Sequence, residues 1–454
     1  MVSTALFVPP YPERTARDAP VLAGFFGERV RNSVYGIPRA AFVDLHRSRK
    51  ILGLQIHVIS DPDAVGRVLL DNQANYRRPR IVQRILAPVI GNGLLSSEGE
   101  DWRKQRKIVA PTFAPGAVAA MEPLISGVAA AQVLGWSKTP TRIDMAKTAT
   151  DATMAIIAKS LFGDDPRLTS RLAGEHIDNL VQAGGQARMS TLLGLSHLDF
   201  SATMRRGRRG SAYLRDTLTA LVRDRGPNGE GDDFFGGLIR SLRAQFSPDE
   251  AEALAVDNAV TFYVAGHETT SNALAWTIYL LAAQPDIQAR CRMEATAALA
   301  GNPAKLFDAM PYLRQVLDES MRLYPPAPRF DREAVADDVL AGVHIRKGDL
   351  VSIWPWLIHR HTALWEQPDA FDPDRFAPEN KAKLHRHQYL PFGAGPRVCV
   401  GARFALMEAL IILAHWLSAA QFDTVADHRV YPVGSVTLRP DQGMPLKVTG
   451  LSAE

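Results

Sequence analysis

One long helix between Ser247 and Ala283 constrains the fold more than any other stretch of this sequence. Ser247-Pro248-Asp249-Glu250 has the residues of a helix start, with a capping serine, a proline at the first position and acids in the first turn. No proline follows until Gln284-Pro285, which ends the pattern. A helix of this length crosses a whole domain, so the other elements are expected to pack around it.

The middle of this helix, Ala265-Gly266-His267-Glu268-Thr269-Thr270, is polar. Gly266 and the two threonine hydroxyls can loosen the hydrogen bonds between successive turns and open a groove for a small ligand. His267-Glu268 looks like the start of a helical zinc motif, but Ser271 stands where the second histidine is required. From these residues alone, a structural kink and a catalytic cluster are equally good interpretations.

The composition is that of a globular protein and argues against several function classes. The chain has 454 residues, 46% hydrophobic and 22% charged, enough for one large domain or for two or three ordinary ones. A net charge of +4 does not indicate nucleic-acid binding. The two cysteines, Cys291 and Cys399, argue against a disulfide framework or a zinc site. Without a signal peptide or an uninterrupted apolar stretch of about 20 residues, we predict a cytoplasmic protein with no membrane span.

Cys399 stands in a glycine-rich loop, Phe392–Gly401, directly before the apolar helical run Arg403–Trp416. Glycines let the backbone lie flat, or take positive φ, beside a large planar group. Backbone N–H groups and the N-terminus of the following helix stabilise a thiolate. Such a thiolate is a good axial ligand for haem iron. A buried structural cysteine in a tight turn is the alternative that this loop alone leaves open.

Periodicity and helix start signals predict mainly helices, with short strands towards both ends of the chain. Prolines predict an extended arm over residues 1–20. The predicted helices include Val21–Ser33, Arg39–Arg47, Ala117–Trp136, Asp144–Phe162 and Pro311–Leu323. Strands are predicted at Leu54–Ile59, in a hairpin over Val343–Trp354, and within Thr424–Val448 around a turn at Pro432-Val433-Gly434. The long irregular stretch His359–Leu390 is expected to be functional.

Three groups of basic residues have more than one interpretation. Trp102 and Arg106 are four apart on a predicted helix and can offer an indole N–H and a guanidinium to one carboxylate, or simply begin a solvated helix. Arg103 and Lys107 project differently and can form a docking patch for an acidic partner. The run Arg205-Arg206-Gly207-Arg208-Arg209 is a solvated surface, an anchor for a substrate carboxylate, or a contact for an anionic surface.

Taken together, these residues resemble the cytochrome P-450 family of haem-thiolate monooxygenases. The motifs that match, in the family's order and at compatible separations, are Phe392–Gly401, Ala265–Thr270, Glu319-x-x-Arg322 and Pro373-Asp374-Arg375-Phe376. The cysteine loop combined with Glu-x-x-Arg is highly specific. With Trp102-x-x-x-Arg106 added, the resemblance spans nearly the whole chain. Asp374 stands where glutamate is commoner, while Arg375 and Phe376 are retained.

The resemblance implies a bound haem b and gives residues roles around it. Cys399 matches the proximal iron ligand, and Phe392 matches the aromatic residue near its sulfur. Glu268 and Thr269 match the acid–alcohol pair that delivers protons, whereas His267 receives no role. The residues that match a buried ion-pair network are Glu319, Arg322 and Arg375. Those that match partners of the haem propionates are Trp102, Arg106, Arg332 and Arg397, with Arg329 as a less favoured substitute for Arg332.

The implied fold is one predominantly α-helical domain, triangular in outline, with minor β-sheets near the N-terminal third and the C-terminus. The segments expected around the substrate are largely apolar, so we predict a hydrophobic substrate. The candidate pocket residues are Leu86, Val89, Phe262, Ala265, Ala327, Phe330 and Val436.

The implied reaction is the insertion of one oxygen atom from O2 into a small lipophilic molecule, by hydroxylation or epoxidation, with electrons from NAD(P)H. Because no flavin or iron–sulfur region is appended, the resemblance implies separate partners of the soluble bacterial type, a ferredoxin and a flavin-containing reductase. One alternative is a peroxide-driven oxidase or a haem-thiolate isomerase, against which Glu268-Thr269 argues. A non-catalytic haem sensor or carrier is the other alternative.

Overall fold

Helices make up most of the regular structure in the computed structural model, which describes residues 6–20, 27–51, 53–80, 82–83, 90–184, 199, 201–226, 229–231, 233–302 and 305–451. The long helices, labelled α1 to α10 in chain order, are Gly99–Val109, Glu122–Val133, Met145–Phe162, Arg171–Gly184, Ala202–Asp224, Phe234–Arg243, Pro248–Ala282, Pro285–Ala300, Pro311–Leu323 and Ala402–Ala419. Short α-helices are Glu28–Arg31, Pro62–Gly66, Pro115–Ala119, Pro166–Thr169, Pro355–Ile358 and Pro378–Lys381. Single turns of 3₁₀ or π type are Arg39–Phe42, Arg67–Asp71, Gln73–Asn75, Ala110–Phe113, Phe307–Ala309, Pro373–Phe376 and Gly395–Arg397.

Helix α7 is the central element, and its bounds agree with the sequence prediction to within one residue. At its start, the Glu250 carboxylate accepts hydrogen bonds from the N–H and the hydroxyl of Ser247, at 3.2 and 2.6 Å. The helix packs against α3, α5, α6, α8, α9 and α10. From Thr270 to Ala282 every side chain is buried. This anchored half holds the polar middle of the helix in a fixed position.

The strands form one larger sheet and three small ones. The strands β1 to β12 are His46–Ile51, Leu54–Ile59, Tyr76–Arg77, Thr141–Asp144, Phe330–Ala334, Asp338–Leu340, Val343–Ile345, Leu350–Ile353, Ala420–Thr424, Pro432–Gly434, Leu438–Pro440 and Pro445–Gly450. The five-stranded sheet has the order β1-β2-β8-β5-β3, with β2 and β8 parallel. The others are β4-β12-β9, β6-β7 and β10-β11. Strands therefore occur in the N-terminal third and near the C-terminus, as the resemblance implies, but β5 to β8 come from residues 330–353, which it did not imply.

A large cluster of buried side chains draws on nearly the whole length of the chain, from Val34 to Val448. The ring of Trp276 on α7 stacks on that of Tyr324, with 3.9 Å between their centroids. A second, smaller cluster runs from Ile59 to Leu390 and lies against the five-stranded sheet. That the chain is a single domain stays a prediction.

Near the N-terminus two predicted helices need correction. Arg39–Arg47 is wrong as a helix, because only Arg39–Phe42 forms a 3₁₀ turn and β1 follows. The sequence of β1, from His46 to Ile51, is mostly charged and has no apolar alternation, so only its antiparallel pairing with β2 reveals it as a strand. Of the predicted helix Val21–Ser33, residues 21–26 lie outside the described residues, and Glu28–Arg31 is a single helical turn.

Two predicted turns towards the C-terminus are also wrong. Val343–Trp354 is not a hairpin, because β7 pairs with β6 while β8 inserts between β2 and β5. The neighbours of β8 are distant in sequence, so local patterning could not identify them. Pro432-Val433-Gly434 is the strand β10, and the chain turns instead at Ser435–Thr437, where it pairs back as β11.

Two described helical stretches, Pro115–Val133 and Ala402–Ala419, are long and apolar enough to cross a membrane, judged by length and composition only. Helices of a protein core meet the same test, and 67% of the Ala402–Ala419 window is buried in this fold. In Pro115–Val133 the share is 22%, and its Val118, Ile125 and Ala129 point into the core.

Candidate active site

Cys399 lies at the end of a tightly bonded loop that precedes α10. Its N–H donates to the Phe392 carbonyl at 3.0 Å, and the Val398 N–H donates to the Gly395 carbonyl at 3.0 Å. Gly395 has a φ of +69°, and a Cβ atom there would lie 1.8 Å from the Leu69 carbonyl oxygen. Only glycine satisfies both requirements, so this residue fixes the path of the loop.

The environment of the Cys399 thiol combines access with enclosure. The residue is exposed, yet enough protein surrounds its sulfur that burial raises the pKa of the thiol. A hydrogen bond from the Gly401 backbone and the charge of Arg106 oppose that rise in pKa. These groups stabilise negative charge on sulfur, and a bound cation would complete the stabilisation. An inert structural cysteine would show no such access.

Three arginines meet beside the cysteine loop. Arg77, the last residue of β3, pairs in register with Glu333 of β5, which brings Arg78 to Arg332, and the loop itself supplies Arg397. Burial, and then the charges of neighbouring guanidinium groups, lower the pKa of Arg78 and of Arg332 to about 10, so both stay protonated at neutral pH. Buried like charges of this kind require anionic partners.

The carboxylates near these arginines do not neutralise them. Glu98 bonds Arg397 at 2.9 Å and lies 3.7 Å from Arg78. Asp331 is engaged elsewhere, by Arg329 at 2.9 Å and by the Ser352 hydroxyl. The Arg329 guanidinium lies 4.9 Å from the centroid of the Trp354 ring. The remaining positive charge fits two carboxylates of a bound ligand, as haem propionates would supply.

Helix α1 contributes Trp102 and Arg106, both predicted to contact the propionates, and the two side chains have different surroundings. The Arg397 guanidinium lies 4.3 Å from the centroid of the Trp102 ring, so Trp102 forms one wall of the arginine cluster. Arg106 is half-buried one turn later and interacts electrostatically with Cys399. Both residues therefore lie near the cysteine loop.

Glu319, Arg322 and Arg375 meet as the motifs predict. Arg322 bonds both carboxylate oxygens of Glu319, at 2.6 and 2.8 Å, and both side chains are fully buried. Arg375 lies 3.5 Å from the same carboxylate. Arg322 also donates to the carbonyl oxygens of His359 and Pro368 at 2.6 Å and of Ala370 at 2.9 Å. The network thereby ties α9 to the irregular stretch before the cysteine loop.

On α7, the polar segment is helical throughout. The Thr269 hydroxyl donates to the Ala265 carbonyl at 2.9 Å, which leaves its lone pairs free to accept a hydrogen bond. Ala265, one turn earlier on the same face, is exposed although it lies mid-helix. The Glu268 carboxylate accepts a hydrogen bond from the Thr437 hydroxyl at 2.7 Å. An acid and an alcohol thus stand side by side at an accessible face.

Several predicted pocket residues are accessible and apolar. Val436 is 49% exposed, and Ala327 and Phe330 are half-buried. Phe262 is placed differently: it is 7% exposed and packs against the rings of Phe113 and Phe234 in the core. It is therefore a core residue and does not form an open wall. Leu86 and Val89 lie outside the described residues.

Sequence reasoning missed four residues of this region. Arg78 and Glu98 gave no signal because their roles depend on the β3–β5 pairing and on the start of α1. Thr437 likewise belongs to no motif. Glu408 was detectable, as a lone acid in the apolar run of α10. It is fully buried, and burial raises its pKa well above the ordinary value, while an interaction with the Thr270 hydroxyl opposes that rise.

These observations fit an iron porphyrin held between the cysteine loop and α7. Cys399 would bind the iron, since the residue is exposed and the Gly401 backbone and Arg106 both stabilise negative charge on its sulfur. Arg78, Arg332 and Arg397 would hold the propionates. The exposed Ala265 would leave room on the opposite side, beside Thr269.

Comparisons with known proteins agree with this geometry. A family model described as Cytochrome P450 matches residues 48–442. The chain is 31% identical over 415 residues to "11-oxo-beta-amyrin 30-oxidase" of Glycyrrhiza uralensis, covering 86% of this chain and 77% of the relative. It is 29% identical over 397 residues to "Cyclooctatin synthase" of Streptomyces melanosporofaciens, covering 86% and 84%. It is 30% identical over 399 residues to "Cytochrome P450 4F12" of Homo sapiens, covering 82% and 76%.

Proposed function

Because the chain belongs to the cytochrome P450 family, whose cofactor is haem b and whose members are monooxygenases, we propose that it inserts one oxygen atom from O2 into a small lipophilic substrate, with two electrons from separate redox proteins. The other oxygen atom leaves as water after taking up two protons. The observation that carries the proposal is the accessible Cys399 thiol inside the fold, flanked by groups that favour its anion.

The bound haem supplies the activation of oxygen, and this chain's residues are proposed to hold it and to manage protons. Cys399 is the iron ligand, with Phe392 packed near its sulfur. The positive charges of Arg78, Arg332 and Arg397 hold the propionates next to Trp102. Thr269 holds a water molecule through its free lone pairs, and Glu268 passes protons to that water.

The proposed substrate is lipophilic because the accessible residues near this space are apolar, namely Ala265, Ala327, Phe330 and Val436. One relative is named for the oxidation of 11-oxo-β-amyrin, which makes terpenes a natural first group to test. Steroids, fatty acids and aromatics complete the panel.

The test is a screen of this panel for a shift of the ferric Soret band from low to high spin, followed by turnover of each binding compound under isotopically labelled O2. The proposal expects a product that carries one labelled oxygen atom and needs NAD(P)H. Product that forms with added peroxide but not with O2 and NAD(P)H, or no product from any compound that shifts the spin state, would contradict it.

The proposed electron donor is a ferredoxin, reduced by a flavin-containing reductase, and α1 offers a surface for it. Arg103, Lys104 and Lys107 are exposed, and in the described part of the chain Arg103 and Lys107 form no ion pair. A cytoplasmic location suits such partners and stays part of the proposal.

Reversing the charge of Arg103 and Lys107 to glutamate is expected to raise the Kd for a ferredoxin about tenfold at low salt, because steering by opposite charge is lost. Titration of the ferric protein with oxidised ferredoxin measures this. The control reverses Arg205 and Arg206, which are exposed on α5. Equal Kd values for the two double variants would argue against this docking surface.

A further inference from the structure

A polar cavity of about 260 Å³ lies beside α7, between that helix, the first turns of α3 and the end of β11. The residues on its wall that matter here are Lys147, Thr150, Glu268, Ser271, Asn272 and Arg439. At 100° per residue, Glu268 stands between the face of Ala265 and Thr269 and the face of Ser271. Its carboxylate therefore borders both the cavity and the proposed oxygen-binding side.

The cavity has the character of a water site. Asn272 is 7% exposed, and its Nδ2 is a buried donor without a partner among the described residues. A buried amide donor in a polar space is normally satisfied by ordered water. At about 30 Å³ of liquid volume per molecule, the space is large enough for several. Lys147 and Arg439 supply the charged part of the wall, and Lys147 also pairs with Asp151 at 2.7 Å.

Thr437 holds the Glu268 carboxylate at the edge of this cavity. Its own position is fixed by Leu438, whose N–H donates to Pro326 at 2.9 Å and whose carbonyl accepts from Trp276 Nε1 at 3.2 Å. The residue before Thr437 is Val436, which is exposed and is a proposed contact of the substrate. The hydroxyl that orients the acid thus lies next to the segment that a substrate would touch.

We propose that this cavity is the proton entrance of the enzyme, with water held by Asn272 and with Thr437 as the positioning residue for Glu268. The inference rests on the proposed function, in which substrate R–H, O2, two electrons and two protons give R–OH and water. When protons reach the oxygen at the wrong place or too slowly, the same two electrons and two protons convert O2 to hydrogen peroxide, and R–H is left unchanged.

The decisive variants are Thr437→Val, which removes the hydroxyl at nearly constant volume, and Thr437→Ser, which keeps it. Asn272→Leu removes the donor that holds the cavity water. The matched control is Thr277→Val on α7, whose buried hydroxyl donates to the Ala273 carbonyl at 2.7 Å. All four are studied as haem-loaded protein with a substrate found in the panel.

The first readout does not depend on turnover. The infrared carboxylate band of Glu268, identified by its absence in Glu268→Gln, is expected to shift in Thr437→Val and to return in Thr437→Ser. The second readout is the amount of product formed per NAD(P)H consumed. In Thr437→Val this ratio is expected to fall about fivefold, which corresponds to the loss of one net hydrogen bond. The NAD(P)H that forms no product is expected to appear as hydrogen peroxide. Asn272→Leu is expected to show the same loss with an increased solvent deuterium isotope effect.

If the Thr437→Val variant shows the same infrared band and the same product per NAD(P)H as the Thr277→Val variant, Thr437 does not position Glu268. If the Asn272→Leu variant keeps the wild-type product per NAD(P)H and the wild-type solvent isotope effect, the cavity is not the proton entrance. Failure of the proposed function looks different, because the wild-type protein itself would then form no product. In that case the infrared band still decides whether Thr437 positions Glu268.

Discussion

Replacing Arg322 with methionine is expected to lower the free energy of unfolding by about 3–5 kcal/mol, because Glu319 would keep a buried charge after losing its two bonds to Arg322, with Arg375 at 3.5 Å and the Asp372 N–H at 2.8 Å as its remaining partners. Three backbone carbonyls would also lose their donor. The irregular stretch that leads to the cysteine loop depends on those bonds, so haem retention is expected to fall together with stability. Urea unfolding followed by circular dichroism, with haem content per protein, measures both.

The control is Arg314→Met on the same helix. Arg314 lies 3.2 Å from Asp318 and is partly exposed, and Asp318 keeps Lys381 at 3.0 Å and the Tyr389 hydroxyl at 3.1 Å. Its loss is therefore expected to cost no more than about 1 kcal/mol. If the two variants unfold at the same urea concentration, the network is not the structural support described above.

Thr269→Ala and Glu268→Gln are each expected to lower the rate of product formation by about 100-fold, the lower end of what a positioned proton donor contributes. Glutamine retains an acceptor for the Thr437 hydroxyl, so the change isolates the proton and not the shape. Consumption of NAD(P)H is expected to fall much less, with the difference appearing as hydrogen peroxide. Simultaneous assays of product, peroxide and cofactor measure the partition.

The matched control for Thr269→Ala is Thr277→Ala, two helical turns further along α7, whose hydroxyl makes the same bond to the carbonyl four residues back. The Thr277→Ala enzyme is expected to form as much product per NAD(P)H as the wild type. A Thr269→Ala enzyme that forms product as efficiently as Thr277→Ala would remove Thr269 from the proton path, and the peroxide-driven alternative would then need to be reconsidered.

Several of the long helices could be predicted from the sequence because their signals are local. A capping serine and Gln284-Pro285 delimit α7, Pro311 begins α9, and Asp144 caps α3, each within one residue of the prediction. The sheet was harder to predict. In β1 the residues are mostly charged, and β8 is a short apolar run, so their places depend on partners far along the chain.

The predicted residues of the site also lie in local motifs, whereas the missed residues depend on contacts between distant segments. Cys399, Glu319 and Arg322 lie within motifs whose spacing is set by one loop or one helix. Arg78 joins Arg332 only through the pairing of β3 with β5, and Thr437 reaches Glu268 only because a C-terminal hairpin folds against α7. Such contacts are properties of the assembled fold, which is why no single stretch of sequence predicts them.

The most direct measurement is the absorption spectrum of the reduced, carbon-monoxide-treated protein, compared with Cys399→Ser and with Cys291→Ser. Cys291 is fully buried, and burial raises the pKa of its thiol, so it serves as the control for loss of a cysteine. Thiolate ligation by Cys399 predicts a red-shifted, thiolate-type Soret band in the wild type and in Cys291→Ser, and none in Cys399→Ser. Its absence from the wild type, or its survival in Cys399→Ser, would contradict thiolate ligation by Cys399.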